Sequence, residues 1–277
     1  MDILRLIRVR SWVKNIFIFA PIFFGGFVFD IGLLAQTCLA FVLFCFLSSS
    51  VYIINDIFDL EQDRKHESKK GRPLASGRIS VPVAVAICAS LIVSVFVIGS
   101  IFIPEILWII AIYFLLNILY SKKLKHIPIV DILCISLFFL IRIIVGGISA
   151  SVHISYWLMV CTVFLALFLI VGKRLVEFTQ EERRPVLKIY SIDFLKNLLM
   201  LTSVLVIATY SVYALVVLDS PWAIASIFFV LLGILRYLYL IYTSKKVEYP
   251  EKVLLQDVTV FSSVALWMLT MFYIFYF

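Results

Sequence analysis

Nine apolar stretches follow one another along this chain, at residues 15–29, 36–57, 81–100, 103–120, 129–148, 155–172, 197–218, 221–242 and 253–276. Most reach the ~20 residues that a helix needs to cross the hydrocarbon of a bilayer. The first is short and lengthens toward Ser11–Lys14. A Pro104-Glu105 turn parts the third from the fourth, and Asp219-Ser220-Pro221 parts the seventh from the eighth. Hydrophobic residues make up 64% of the 277 and charged residues 15%, against roughly half and a quarter in a soluble domain. No water-soluble core can hide that excess. The expected fold is all-α: a polytopic membrane protein of nine transmembrane helices in one bundle, with residues 1–277 as a single membrane-embedded domain.

The basic residues set the orientation. Residues 1–14 hold four, 59–80 six, 121–127 three, 173–196 six and 244–252 three, which accounts for 22 of the 24 Lys and Arg. With nine spans, all five segments fall on one side. The alternate loops near 30–35, 101–105, 149–154 and 219–220 hold none. Cytoplasmic loops carry such an excess, so the N-terminus is expected to be cytoplasmic and the C-terminus external. Arg5, Arg8, Arg10 and Lys14 ahead of an apolar stretch resemble a secretory leader. No small-x-small cleavage site follows, however, and Gly25-Gly26 runs on into Phe27 and Val28, so the stretch is read as the first span. The net charge of +7 reflects loops at an anionic leaflet and a site for phosphorylated substrates, not a nucleic-acid partner. The five cysteines lie scattered in apolar runs without a CxxC pair and are read as small apolar residues.

The most informative stretch is Asn55-Asp56-Ile57-Phe58-Asp59-Leu60-Glu61-Gln62-Asp63. Spacing of i, i+3, i+7 puts Asp56, Asp59 and Asp63 on one face of a helix. Three like charges there repel, and a divalent cation reverses the sign of that interaction. Mg2+ binds through one or two carboxylates and keeps water and phosphate oxygens as its other ligands. The face is therefore expected to hold a Mg2+–diphosphate. The bland reading is a solvated helix end with ordinary acids; against it stands the position of the cluster at the cytoplasmic mouth of an apolar span.

Cations follow directly, in Arg64-Lys65-His66-Glu67-Ser68-Lys69-Lys70-Gly71-Arg72-Pro73-Leu74-Ala75-Ser76-Gly77. Arg72 is the strongest phosphate ligand among them, because a guanidinium grips phosphate oxygens bidentately. For each lysine the alternative is a positive-inside loop charge, and for His66 a surface residue. Tyr120-Ser121-Lys122-Lys123-Leu124-Lys125-His126 ends the fourth stretch and Asp131 opens the fifth. Asp131 and Arg142 stand eleven residues apart, three helical turns to within about 20°. Lipid penalises either charge, so their shared face is expected to look into the bundle. Asp131 then ligates a second metal or orients a cation. Arg142 holds a phosphate or neutralises a buried acid, and the sequence leaves both choices open. Lys173 and Glu177 form an i,i+4 pair or a substrate contact. Arg236 and Asp257 form an ion pair or serve the substrate. Trp12 is read as an interface anchor and Lys14 as reaching the site. No P-loop, Rossmann glycine pattern, HExxH or GxSxG is present.

Asn55-Asp56-x-x-Asp59-x-x-x-Asp63 resembles the first aspartate-rich motif of the UbiA superfamily of intramembrane prenyltransferases, and the resemblance covers nearly the whole chain. The decaprenyl-phosphate phosphoribosyltransferase branch is the most similar. The stretches that point to it are Arg10-Ser11-Trp12-Val13-Lys14-Asn15, His66-x-x-x-Lys70-x-Arg72-Pro73-Leu74-Ala75-Ser76-Gly77, Tyr120-Ser121-x-x-Leu124-Lys125, Leu140-Ile141-Arg142 with Gly146-Gly147, Gly172-Lys173-Arg174-x-x-Glu177, and Arg236-Tyr237 with Pro250 to Asp257. The superfamily's second motif usually carries two or more aspartates, whereas here Asp131 stands alone, which argues against transfer of a prenyl group to an aromatic ring.

The resemblance implies nine helices around a Mg2+-dependent site at the cytoplasmic face of a bacterial inner membrane. It implies phosphoribosyl pyrophosphate as donor and a long-chain polyprenyl phosphate as acceptor. Asp56, Asp59 and Asp63 would hold the metal and, with Asp131, form the catalytic set. Lys14, Asn55, Arg72, Tyr120, Ser121, Lys125, Arg142, Lys173 and Arg174 would bind substrate. A homo-oligomer is left open. The rivals are an aromatic polyprenyltransferase of the 4-hydroxybenzoate type, and a transporter of phosphorylated lipids without catalysis.

Overall fold

A computed structural model describes residues 2–67, 69–179, 185–243, 253–254 and 256–277. Every regular element among the described residues is helical. After α1 (Asp2–Leu6), a 3-10 segment (Val9–Phe19) runs into α2 (Ala20–Phe24). Then come α3 (Ile31–Phe58), α4 (Leu60–Lys65), α5 (Val81–Phe102) and α6 (Leu107–Lys122). The remaining helices are α7 (Val130–Ser149), α8 (Tyr156–Phe178), α9 (Ile192–Val216), α10 (Ala223–Thr243) and α11 (Val258–Tyr276).

Eight of these, α3 and α5 to α11, are long and apolar enough to cross a membrane. The protein is an integral membrane protein. The stretch expected as a first span at 15–29 is built differently. Its helical part is the 3-10 segment plus α2, and it stops at Phe24 before a turn in which Gly26 takes φ +79°. That conformation is open to glycine at little cost. Asp30 then caps α3, its carboxylate accepting from the Leu33 N–H at 3.0 Å. Ser155, Ser191 and Asp257 cap α8, α9 and α11 in the same way, so short polar residues between apolar runs mark where helices begin.

The chain divides into two compact units, one of residues 1–22, 27–122 and 141–153, the other of 23–26, 123–140 and 154–277. In the first, α3 packs against α5, α6 and the 3-10 segment. The most apolar window of α3 is 61% buried against 17% for α5, which makes α3 a central helix and α5 a lipid-facing one. Polar groups lace the 3-10 segment to α3. Trp12 Nε1 donates to Ser49 Oγ at 3.0 Å, and Asn15 Nδ2 to Ser48 Oγ at 3.2 Å. Trp12, read from sequence as an interface anchor, thus also ties the segment to α3. Gly146 of α7 permits a close approach, since a Cβ there would lie 2.0 Å from the Ile18 carbonyl oxygen.

In the second unit, α8 packs on α9 and α10 on both α9 and α11. Its core joins Phe168, Val171 and Leu175 of α8 to Leu195 and Leu199 of α9 and to Ile234, Tyr237 and Ile241 of α10. Gly172 lets α8 and α10 meet, because a Cβ there would stand 2.7 Å from Ile241 Cδ1.

Candidate active site

The aspartate motif sits where α3 gives way to α4. Asp59 lies at the break between them, with φ −93° and ψ 7°. Its N–H still bonds to the Asn55 carbonyl, and its own carbonyl accepts from Asp63 N–H at 2.8 Å. The helical path is therefore nearly continuous. Asp56 and Asp63 are each only 3% exposed and converge on one atom, Arg72 Nη1, at 3.1 Å and 2.5 Å. Arg8 donates to the same Asp56 oxygen that Arg72 contacts, and its guanidinium lies 4.7 Å from the centroid of the Tyr52 ring. Lys69 Nζ stands 4.0 Å from Asp63. Two buried carboxylates thus share a cluster of cations, which offsets the desolvation that burying charge entails.

Among the described residues no group of three His, Cys, Asp or Glu forms a ready-made metal cage. The donors nevertheless suit a hard divalent cation. Asp56 and Asp63 already aim oxygens at one positively charged point. Next to Asp56 in the chain, Asn55 Oδ1 is buried without a hydrogen-bond partner, and leaving such an acceptor dry costs about 1–3 kcal/mol. Oxygen donors of this kind, few in number and completed by water and phosphate, are what Mg2+ takes.

In the same unit, Arg142 is 5% exposed. Its Nε donates to Asn15 Oδ1 at 2.8 Å and its Nη2 to Tyr113 OH at 3.3 Å. The guanidinium also lies 5.2 Å from the Phe44 ring centroid and 5.6 Å from that of Tyr113, a setting that favours a cation. Lys14 is partly buried on the 3-10 segment and Tyr120 partly buried at the end of α6. Ser121 is buried and spends its hydroxyl on the Asn117 carbonyl at 2.7 Å.

The second unit carries its own polar chain. Asp131 is fully buried; its Oδ2 accepts from Arg174 Nε at 2.9 Å and its Oδ1 from Tyr190 OH at 3.1 Å. Arg174, 1% exposed, also donates to Glu177 at 2.6 Å. Glu177 in turn stands 3.9 Å from Lys173 Nζ, as the i,i+4 spacing implied. Burial above all pushes the Tyr190 hydroxyl up to about 12, so it stays protonated and donates to Asp131 near neutral pH. Tyr190 OH also accepts from Ile129 N–H. Ile129 has φ +67°, and Val130 N–H reaches back to the Pro128 carbonyl at 2.7 Å. This is a γ-turn of the strained hand at a β-branched residue, a geometry that costs on the order of 1–3 kcal/mol. Lys125 lies just before it, in the short 3-10 turn Leu124–His126. In the same unit, Arg236 and Asp257 form the ion pair that their positions suggested, Nη2 to Oδ2 2.8 Å.

A model of the UbiA prenyltransferase family matches residues 16–264. The chain belongs to this family. Among curated UbiA relatives, decaprenyl-phosphate phosphoribosyltransferase of Mycolicibacterium smegmatis is 30% identical over 275 residues, covering 92% of this chain and 86% of that protein. The protein of the same name from Mycobacterium tuberculosis is 31% identical over 221 residues, 76% of this chain and 73% of its own length. A UbiA homolog from Archaeoglobus fulgidus, solved bound to DMAPP and Mg2+, superposes with a TM-score of 0.73 over 99% of each chain at 18% identity. The UbiA fold is therefore shared in full.

Three residues of this UbiA chain escaped the sequence reading as site components. The sequence marks Arg8 only as a loop charge and Asn15 only as part of a motif, and it gives no sign of Tyr190. Arg8 carries no periodic signal because it sits at the break between α1 and the 3-10 segment, with φ +51°. Tyr190 lies about sixty positions from the groups it contacts.

Proposed function

We propose that this UbiA-family protein transfers 5-phosphoribose from phosphoribosyl pyrophosphate to a long-chain polyprenyl phosphate. The site faces the cytoplasm of a bacterial inner membrane. The N-terminus is cytoplasmic and the C-terminus external, with the segment around residues 9–24 serving as the ninth membrane element. The observation that carries the reading is the convergence of Asp56 and Asp63 on Arg72, with Arg8 at the same carboxylate. Likeness to two curated phosphoribosyltransferases over most of the chain supports the choice of donor and acceptor.

On this reading Asp56, Asp63, Asp59 and Asn55 present oxygens to Mg2+. The chemistry supplied by the bound cation is neutralisation of the departing diphosphate. Arg72 and Arg8 supply guanidinium donors to phosphate oxygens beside those acids. The ribose C1–O bond to the diphosphate breaks and a lipid phosphate oxygen forms the new bond at C1, with an oxocarbenium-like ribose between. A phosphate monoester is already anionic near neutral pH, so no strong general base is required. Lys14, Tyr120, Lys125, Arg142 and Lys173 remain candidates for the 5-phosphate and the lipid phosphate. Arg174, enclosed by Asp131 and Glu177, is assigned to holding Asp131 in place. Fixed charges of this kind provide most of the acceleration in such transfers.

The test mixes purified protein, Mg2+, labelled phosphoribosyl pyrophosphate and a polyprenyl phosphate. Label is expected in the organic phase and is lost with EDTA and with Asp56→Ala. Absence of label across several acceptor chain lengths, with turnover of a prenyl diphosphate and an aromatic acceptor, would replace this reading with the aromatic prenyltransferase. Lipid flux without any covalent product would point to the transporter.

A further inference from the structure

We propose that Tyr190 is a positioning residue that clamps the basic turn between α6 and α7. Its hydroxyl makes two bonds at once, accepting from Ile129 N–H and donating to Asp131 Oδ1. Ile129 is held at φ +67°, which a β-branched side chain adopts only when its surroundings impose it. No regular helix bond can satisfy Ile129 N–H ahead of α7, so the Tyr190 oxygen takes that role. The ring itself is fixed by stacking on Phe194, centroids 5.8 Å apart and planes at 16°.

The turn so held is the one that carries Lys123, Lys125 and His126. Asp131, the other end of the clamp, is bonded to Arg174, and Arg174 to Glu177 beside Lys173. Tyr190 therefore joins the cationic turn after α6 to the cationic end of α8 through one hydrogen-bonded chain. Its task is to hold Lys125 where a phosphate-bearing substrate is bound. The kinetic half of this inference rests on the phosphoribosyl-transfer reading; the structural half does not.

Tyr190→Phe keeps the ring and its stacking and removes both hydrogen bonds. Amide exchange over residues 123–131, read by mass spectrometry on the full-length protein in detergent, is expected to quicken about tenfold or more, while exchange in α8 and α9 holds. Ile129→Gly in the Tyr190→Phe background is expected to restore much of the protection, because glycine accepts the positive φ without strain. In the transfer assay, Tyr190→Phe is expected to raise KM for phosphoribosyl pyrophosphate about tenfold with kcat within about twofold. Unchanged exchange at 123–131 would overturn the clamp. Exchange rising equally through α8 and α9 with a lower Tm would reduce Tyr190 to a packing residue. A loosened turn with unchanged KM would overturn its substrate role. If the unaltered protein transfers no phosphoribose, the function reading fails by itself, and the exchange measurements and the glycine rescue still decide the clamp.

Discussion

Arg174 and Asp131 meet as a fully buried ion pair, Nε 2.9 Å from Oδ2, with side chains 2% and 0% exposed. Such a pair adds little over an apolar one, but removing a single partner strands a charge. Asp131→Ala or Arg174→Ala is therefore expected to cost about 3–5 kcal/mol in stability. The double variant Asp131→Leu with Arg174→Leu should recover a substantial part. Thermal unfolding in one detergent checks this; single variants as stable as the parent would contradict the buried-pair account.

The acidic motif gives a graded expectation. Asp56→Asn and Asp63→Asn are each expected to lower kcat/KM for transfer by about a hundredfold or more, since groups that offset developing charge carry losses of that size. Part of the loss should return at raised Mg2+. Asp59, at the helix break and not fully buried, is the discriminating position. Full activity of Asp59→Asn at saturating Mg2+ would remove it from the metal set.

Arg8 separates a charge effect from a shape effect. Arg8→Lys keeps the charge but loses the planar fork that matches carboxylate and phosphate. Arg8→Ala is expected to lower kcat/KM more than Arg8→Lys, and both more than Arg10→Ala. Equal rates for all three would remove Arg8 from the site.

Glycine substitutions should rank by what the new methyl group meets. Gly146→Ala drives a Cβ to 2.0 Å from backbone, the Ile18 carbonyl. Gly172→Ala meets the flexible tip of Ile241 at 2.7 Å, and Gly71→Ala meets nothing within 4 Å. Overpacking typically costs about 1–3 kcal/mol, so Gly146→Ala is expected at or above that range, Gly172→Ala at its lower end and Gly71→Ala near zero. Tm values in the reverse order would refute the close helix approaches.

Asp257 links stability to acid. Its hydrogen bond from Arg236 holds its carboxyl below the ordinary 3.8. A depressed carboxyl contributes stability that is present above the unfolded value and lost as pH falls through the folded one. The parent is thus expected to exceed Asp257→Asn in Tm above pH 5. The gap should narrow below about pH 4. A gap that is constant with pH would mean that the Asp257 charge is not involved.

Much of this was legible in order along the chain. Apolar runs of membrane-crossing length appear as α3 and α5 to α11, because a backbone in lipid must satisfy its own hydrogen bonds and the helix does so locally. The aspartate spacing was legible for the same reason: helical periodicity places Asp56 and Asp63 on one face without help from the rest of the chain, and i,i+4 spacing brings Lys173 to Glu177. Only the tertiary structure decided which charges meet. It set Asp59 at a break in the helix, paired Asp131 with Arg174 across 43 positions, gave Arg142 to Asn15 across 127, and brought Arg8 to Asp56 and Tyr190 to Ile129. Those contacts depend on helix packing and on backbone turns with positive φ, at Arg8 and Ile129. Neither follows from periodicity, because packing is settled by the shapes of distant surfaces and a strained turn exists only where its surroundings hold it.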